Sequence, residues 1–269
     1  MQIDFIAILV AVLVLGALGA AFGIILGIAG KKFEVKIDPR ISAVRECLGG
    51  ANCGACGFAG CDAFAEAVVN LKASPNGCPP GGQASAEAIG KILGIDVPVG
   101  EPMVARVMCM GTSGIAKKRY EYDGYASCRI ATSMAGGPKQ CAYSCIGLGD
   151  CIDACSFNGI SIEDGVAKID ANKCKGCGEC VVECPRSAIR LTPRSATVNV
   201  RCRNADIGRT AVNVCMKACI GCKRCETACN VGAISVVNGC ASIDYDKCTR
   251  CGECARVCPR GCITDEVNV

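Results

Sequence analysis

Cys174-x2-Cys177-x2-Cys180-x3-Cys184 and Cys248-x2-Cys251-x2-Cys254-x3-Cys258 share one spacing, and Pro185 and Pro259 follow the last thiol of each run. Three thiols this close, with a fourth four residues on, suit iron–sulfur clusters. In such a C-x2-C-x2-C-x3-C-P run the fourth Cys ligates the other of two clusters. Iron held in this way moves electrons one at a time. A zinc ribbon would instead space two C-x2-C pairs by a longer loop. A disulfide framework belongs to shorter secreted chains. The chain carries 27 Cys and no His in 269 residues. The lack of His removes Rieske centres and His-ligated haem, and with them the commonest proton carrier near neutral pH.

The elements that must position these thiols occur twice, at a constant offset of 74 residues. Cys145, Cys151 and Cys155 map onto Cys219, Cys225 and Cys229, and the two long runs map onto each other. Between them, Ile160-Ser161-Ile162, Gly165 and Ala167-Lys168-Ile169 match Ile234-Ser235-Val236, Gly239 and Ala241-Ser242-Ile243. Each stretch alternates apolar residues around a Gly and predicts two short strands. One copy therefore reads as Cys loop, hairpin, Cys loop, as in a bacterial two-cluster ferredoxin. The crossed rule assigns Cys219, Cys222, Cys225 and Cys258 to one cluster, and Cys229, Cys248, Cys251 and Cys254 to another. In the first copy, Cys155, Cys174, Cys177 and Cys180 form a third set by the same rule.

The remaining site of the first copy has Cys145, Cys151 and Cys184, but Leu148 stands where the second copy has Cys222. Cys141, four residues before Cys145, is the expected fourth ligand; the alternative is a three-Cys site with an open iron. Cys109, Cys128, Cys202 and Cys215 are then left over, enough for a further cluster bridging the two copies, or else buried thiols in loops. Cys240 and Cys262 align with Val166 and Ala188, and Cys47 belongs to no motif. These three read as small buried hydrophobes.

Residues 5–30 hold no charge and are long enough to cross a bilayer, which takes about 20 apolar residues. A cleaved signal would have a basic start and a shorter apolar run. Lys31 and Lys32 follow the run while only Asp4 precedes it, which predicts the Cys-rich part on the cytoplasmic side of the inner membrane. Gly19, Gly23 and Gly27 share one helical face that could meet another membrane helix. Cys53, Cys56, Cys61 and Cys78, spaced x2, x4 and x16, predict one more cluster. Phe64, Ala67, Val68 and Leu71 recur with helical spacing between them, and a second short helix is expected over 84–93. Residues 94–140, with Pro98 and Pro102, predict no long regular element.

The fold expected is α+β. Residues 1–32 form a membrane anchor and 33–95 a small helical [4Fe-4S] domain. Residues 96–138 are a connector, and 139–195 and 196–269 are tandem two-cluster ferredoxin modules. Five [4Fe-4S] clusters are expected, or six with the bridging site. The stretches GANCGACGFAGC, CPPGG and GGPKQCAYSCIGLGDC, joined to one membrane helix and two modules, resemble the B subunit of the Rnf complex over nearly the whole chain. That family implies one component of a membrane ferredoxin:NAD+ oxidoreductase that moves Na+ or H+. It implies electrons taken from soluble ferredoxin and relayed to partner subunits, which hold the flavin and NAD+ sites. The present chain agrees: it has no G-x-G-x-x-G between a strand and a helix, and no acid–base or nucleophilic constellation. A membrane-tethered polyferredoxin of a hydrogenase or formate dehydrogenase is the rival reading.

The formal charge of +4 counts every Cys as neutral. Five oxidised clusters at roughly −2 each would bring the holo-protein to about −6. The positive residues crowd into Arg186, Arg190, Arg194, Arg201, Arg203 and Arg209, with Lys117, Lys118 and Arg119 as a second group. A basic patch beside a cluster would steer an acidic ferredoxin. Five Tyr and six Phe, without basic–aromatic interleaving, argue against nucleic acid.

Overall fold

The computed structural model describes residues 5–32, 38–98 and 100–266. Asp4 and residues 33–37 of the expected polar stretch lie outside the described residues. The chain divides into two units, Met1–Pro39 and Arg40–Val269.

The first unit is built on one helix, α1 (Phe5–Lys32). At 1.5 Å per residue its 28 residues reach about 42 Å, more than the roughly 30 Å of a hydrocarbon core. Leu9, Leu13, Phe22, Ile25 and Leu26 are all exposed. Val12–Ala29 has a mean hydropathy of 2.5 and is long and apolar enough to cross a membrane. Among the described residues, a Cβ added at Gly19, Gly23 or Gly27 would meet nothing within 4 Å beyond the neighbouring backbone of α1 itself. Lys31 and Lys32 fill the last turn, where cations complement the helix dipole.

The second unit opens with three helices: α2 (Pro39–Glu46), α3 (Cys61–Val69) and α4 (Gly82–Leu93). The spaced apolar residues of α3 do what the pattern predicts, since Phe64 and Val68 are buried against Val44, Leu48 and Ile89. Phe58 meets Phe64 edge-on at 5.6 Å. Leu71 departs from the pattern. The helix stops at Val69, and Leu71 takes a left-handed backbone conformation (φ 57°) with its side chain in solvent.

Four two-stranded antiparallel sheets follow. The predicted hairpins are β2 (Ile160–Glu163) with β3 (Val166–Ile169), and β6 (Ile234–Val237) with β7 (Cys240–Ile243). Their turns are Asp164-Gly165 and Asn238-Gly239, with positive φ at both residues of each pair. That is the primed hairpin turn these residue types favour. The other two pairs were not read from the sequence. β1 (Met103–Val107) pairs with β4 (Ile189–Pro193), and β5 (Val198–Val200) with β8 (Ile263–Asp265). Each repeat is therefore a lead strand, Cys loop, hairpin, Cys loop and closing strand. The first lead strand comes from the stretch expected to be a connector.

One-turn helices sit inside the Cys loops: α6 (Asp150–Asp153), α7 (Glu179–Glu183), α9 (Arg224–Thr227) and α10 (Glu253–Arg256). Ahead of these loops lie α5 (Cys128–Ser133) in the first repeat and α8 (Gly208–Val214) in the second. The cores are made of small apolar residues and thiols: Ala105, Val107, Val166 and Ala188 in one, Val198, Val200, Ala241 and Cys262 in the other.

The first Cys loop of each repeat lies against its own hairpin turn at a glycine. A Cβ on Gly147 (φ +84°) would run into the backbone of Gly165, and one on Gly221 would come 3.2 Å from the Gly239 carbonyl. Gly147→Ala should therefore lower the melting temperature of anaerobically prepared protein by more than Gly232→Ala. The latter shares a positive φ (+63°) but meets nothing within 4 Å, so it should cost only about 1 kcal/mol. Equal losses would show that the loop–hairpin contact contributes nothing.

Candidate iron–sulfur sites

Five cavities of about 310 to 360 Å³ lie within the repeats, each rimmed by Cys side chains. One is lined by Cys155, Cys174, Cys177 and Cys180. Another is lined by Cys229, Cys248, Cys251 and Cys254. A third has Cys219, Cys222, Cys225 and Cys258, with Cys262 beside them. These are the groupings the crossed rule predicts.

The other two cavities differ from expectation by an exchange. Cys145, Cys151 and Cys184 are joined by Cys128, not by Cys141. Cys141 instead faces Cys109, Cys202 and Cys215. The reason is a length change. From the Cys after the lead strand to the Cys four before the first loop, the first repeat runs 109–141 and the second 202–215, a difference of 19 residues. Lead strands and the cysteines after them correspond at an offset of 93, so Cys109 is the counterpart of Cys202, while Cys141 and Cys215 keep the offset of 74. Cys128 belongs to the extra segment and reaches the place left by Leu148. The alternation Ala105-x-Val107 against Val198-x-Val200, each ending two residues before its Cys, was the signal that would have found this.

Asp150 holds Cys128 there. Its carboxylate accepts the Cys128 amide at 2.7 Å, the Arg129 amide at 3.0 Å and the Ser127 hydroxyl at 3.1 Å. Ser127 caps α5 by accepting from Ile130. Burial works against the Asp150 charge, but the two amides and the hydroxyl hold its carboxyl below the usual carboxylate range.

In the helical part, Cys56, Cys61 and Cys78 are partly buried against the α2–α4 core. Cys78 lies near enough to feel the charges of Cys61 and Cys56. The Cys61 amide donates to Asn52 Oδ1 at 2.9 Å, which fixes the loop that begins at Cys53.

Three observations bear on whether these thiols fit [4Fe-4S] clusters. Among the described residues no three potential ligands come close enough to hold a single metal ion, so the thiols surround a volume and not a point. Backbone amides aim at ligand sulfurs: Ala105 at Cys174 (3.4 Å), Ala167 at Cys145 (3.5 Å), Ala188 at Cys184 (3.3 Å) and Ala233 at Cys229 (3.3 Å). Such donors offset thiolate charge. Third, buried side-chain nitrogens without a partner line the cavities: Arg186 Nε at the first, Arg260 Nε by Cys258, and Arg203 Nε with Asn204 Nδ2 by Cys202. A sulfide core would supply acceptors for them. Burial pushes Cys145 and Cys225 up to about 11, and Cys151 and Cys180 up to about 12. Iron charge would offset that cost, and binding would release the protons. The residues fit the group.

The arginines expected to form a docking patch are largely committed inward. Arg186 donates to the carbonyls of Ala142 and Gly136, Arg194 to Cys174 (2.8 Å), Arg201 to Val107 (2.6 Å) and Arg203 to that of Arg186 (2.9 Å). They tie loops together, and Lys118 pairs with Glu121.

Family models match on both parts: an Fe-S cluster family over residues 48–80, and 4Fe-4S binding domains over 167–190, 216–232 and 241–264. The B subunit of the Na(+)-translocating ferredoxin:NAD(+) oxidoreductase complex of Acetobacterium woodii is 47% identical over 97% of this chain and 79% of its own length. The chain belongs to this family of B subunits. The B subunit of the ion-translocating oxidoreductase complex of Methanosarcina acetivorans is 43% identical over 93% of the chain and 95% of itself. That of the proton-translocating ferredoxin:NAD(+) oxidoreductase complex of Clostridium ljungdahlii is 37% identical over 95% and 92%. B subunits from Aliivibrio and Vibrio match over only 34% of the chain.

Single substitutions separate the two quartets. Cys128→Ala and Cys184→Ala should remove the same EPR signal and about four irons, while Cys141→Ala and Cys202→Ala remove a different one. Loss of the Cys184-linked signal in Cys141→Ala would reverse the assignment. Asp150→Asn should loosen the Cys128 site alone, with iron lost to a chelator several times faster. In the parent protein the same loosening should set in as pH falls through the depressed Asp150 pKa, because the anchoring carboxylate is present only above it.

Proposed function

We propose that this chain is the electron-relay component of an Rnf-type ferredoxin:NAD+ oxidoreductase, carrying six [4Fe-4S] clusters between a soluble donor and its membrane partners. Each bound cluster supplies one-electron transfer and no bond chemistry. Cys53, Cys56, Cys61 and Cys78 hold one. The first repeat, a two-cluster ferredoxin module extended back to β1, holds two through Cys155, Cys174, Cys177, Cys180 and through Cys128, Cys145, Cys151, Cys184. The second module holds two through Cys219, Cys222, Cys225, Cys258 and through Cys229, Cys248, Cys251, Cys254. Cys109, Cys141, Cys202 and Cys215 hold the sixth, between the modules.

What supports this reading is that thiols of successive proposed sets lie near one another. Cys53 is close enough to Cys177 for its charge to act there, after burial, in pushing that thiol up. Cys151 feels Cys180 and Cys145 feels Cys109 in the same way. The Cys219 amide donates to Cys202 Sγ at 3.3 Å, and Cys254 feels Cys225. The bridging set is the only link in this series that joins the two repeats among the described residues.

The protein's own task is to keep this series dry where it is internal and open where it exchanges electrons. Cys222 and Cys251 are exposed, whereas the thiols of the first repeat are buried or half-buried. Uptake from ferredoxin is therefore assigned to the second module, where exposed Lys223 and Arg224 flank Cys222. Delivery is assigned to the helical part at the other end. α1 anchors the chain in the inner membrane as a single span, with Lys31 and Lys32 and the Cys-rich unit on the cytoplasmic side. The flavin and NAD+ chemistry and the ion path lie in partner subunits.

The full chain, loaded anaerobically in detergent, should be reduced rapidly by reduced ferredoxin, more slowly as salt is raised, and severalfold more slowly in a Lys223→Glu/Arg224→Glu variant. NADH should not replace ferredoxin as the donor. Protein that dithionite reduces fully but ferredoxin does not would refute the uptake role.

A further inference from the structure

Two thiols outside all six ligand sets lie beside ligand residues of the second repeat. Cys262 is almost wholly buried (1% exposed), and its Sγ is 3.6 Å from Cys258 Sγ. It lines the same cavity as Cys219. Cys240, on β7, donates its S–H to the Cys202 carbonyl oxygen at 3.2 Å. The first repeat has Val166 and Ala188 at the matching positions, with no donor to offer.

We infer that Cys262 acts as an S–H donor to the ligand sulfur of Cys258, and that it raises the reduction potential of the Cys219 site above that of its counterpart at Cys145. This rests on the ligand sets proposed above. Reduction adds negative charge to a cluster and its thiolates, and a donor aimed at sulfur stabilises the more negative state. With Cys258 bound to iron as a thiolate, Cys262 is the partner left with a proton to donate. The two halves of an otherwise repeated relay thereby differ in potential, and electron occupancy is biased toward the second repeat, beside the exposed Cys222. Cys47, the remaining thiol outside the sets, donates instead to the Ala43 carbonyl one turn back in α2 (3.3 Å) and serves as the control.

The test is an EPR-monitored redox titration of full-length protein with iron counted in each variant. Cys262→Ala installs the first repeat's residue. It should keep the wild-type iron content and shift one centre to lower potential, by a severalfold change in its reduction equilibrium. Cys262→Ser, which keeps a donor, should restore the potential most of the way, and Cys47→Ala should change nothing. An unshifted potential in Cys262→Ala would overturn the inference. So would loss of about four irons in both Cys262→Ala and Cys262→Ser, which would make Cys262 a ligand. Wild-type protein with no centre at Cys219 would refute the ligand set itself, read from the iron count and not from any shift.

Discussion

A buried thiolate persists only where positive charge and amide donors offset the cost of taking it out of water. Residues 40–266 are organised around that constraint. Strands are three to five residues long, and the helices within the Cys loops run to one turn or little more. Their cores are lined by Ala, Val and Cys, because bulky side chains would fill the spaces the thiols enclose. What the short elements do supply is backbone: Ala167, Ala188 and Ala233 present amides to sulfur from strands or strand edges. Arginines that would otherwise read as a surface patch hold carbonyls of neighbouring loops and so fix the same turns.

The repeat explains how a long relay arises from a small unit. Each module closes with a lead strand paired to its last strand, and the first Cys after that strand, Cys109 or Cys202, lines the cavity that the two repeats share. Cys141 and Cys215 stand in like fashion four residues before the first loop. Two halves related in this way contribute two thiols each to the space between them. The 19 extra residues in the first repeat do not disturb this arrangement. They add α5, whose amides Asp150 pins, and so replace the thiol lost at Leu148.

Much of this was legible in the sequence. Motif spacing located the cysteine runs, the 74-residue offset gave both hairpins, and an uncharged run of 26 residues gave α1. Three cavity linings match the quartets that the crossed rule proposes. The difference at Cys128 and Cys141 comes from carrying one offset across a segment whose length changes. Cys141 lay nearest in sequence to Cys145, but nearness along the chain does not fix which cavity a side chain enters. β1 and β5 were missed because a three- to five-residue strand whose partner lies some 65 to 90 residues away leaves almost no local signature. The engagement of the arginines by backbone carbonyls was equally invisible, since a carbonyl has no residue type. Cys240 and Cys262 were read as small buried hydrophobes; Cys262 is buried but has the Cys258 sulfur beside it, and Cys240 is half-buried.

The most direct test of the continuous relay is to locate iron itself, by cryo-electron microscopy or iron-edge anomalous scattering of the anaerobically purified complex. Six four-iron centres should appear in one series, with the fourth, counted from the helical part, bound by Cys109, Cys141, Cys202 and Cys215 between the repeats. Iron at only five positions, with those four thiols free or with Cys141 beside Cys145, would break the series and contradict it.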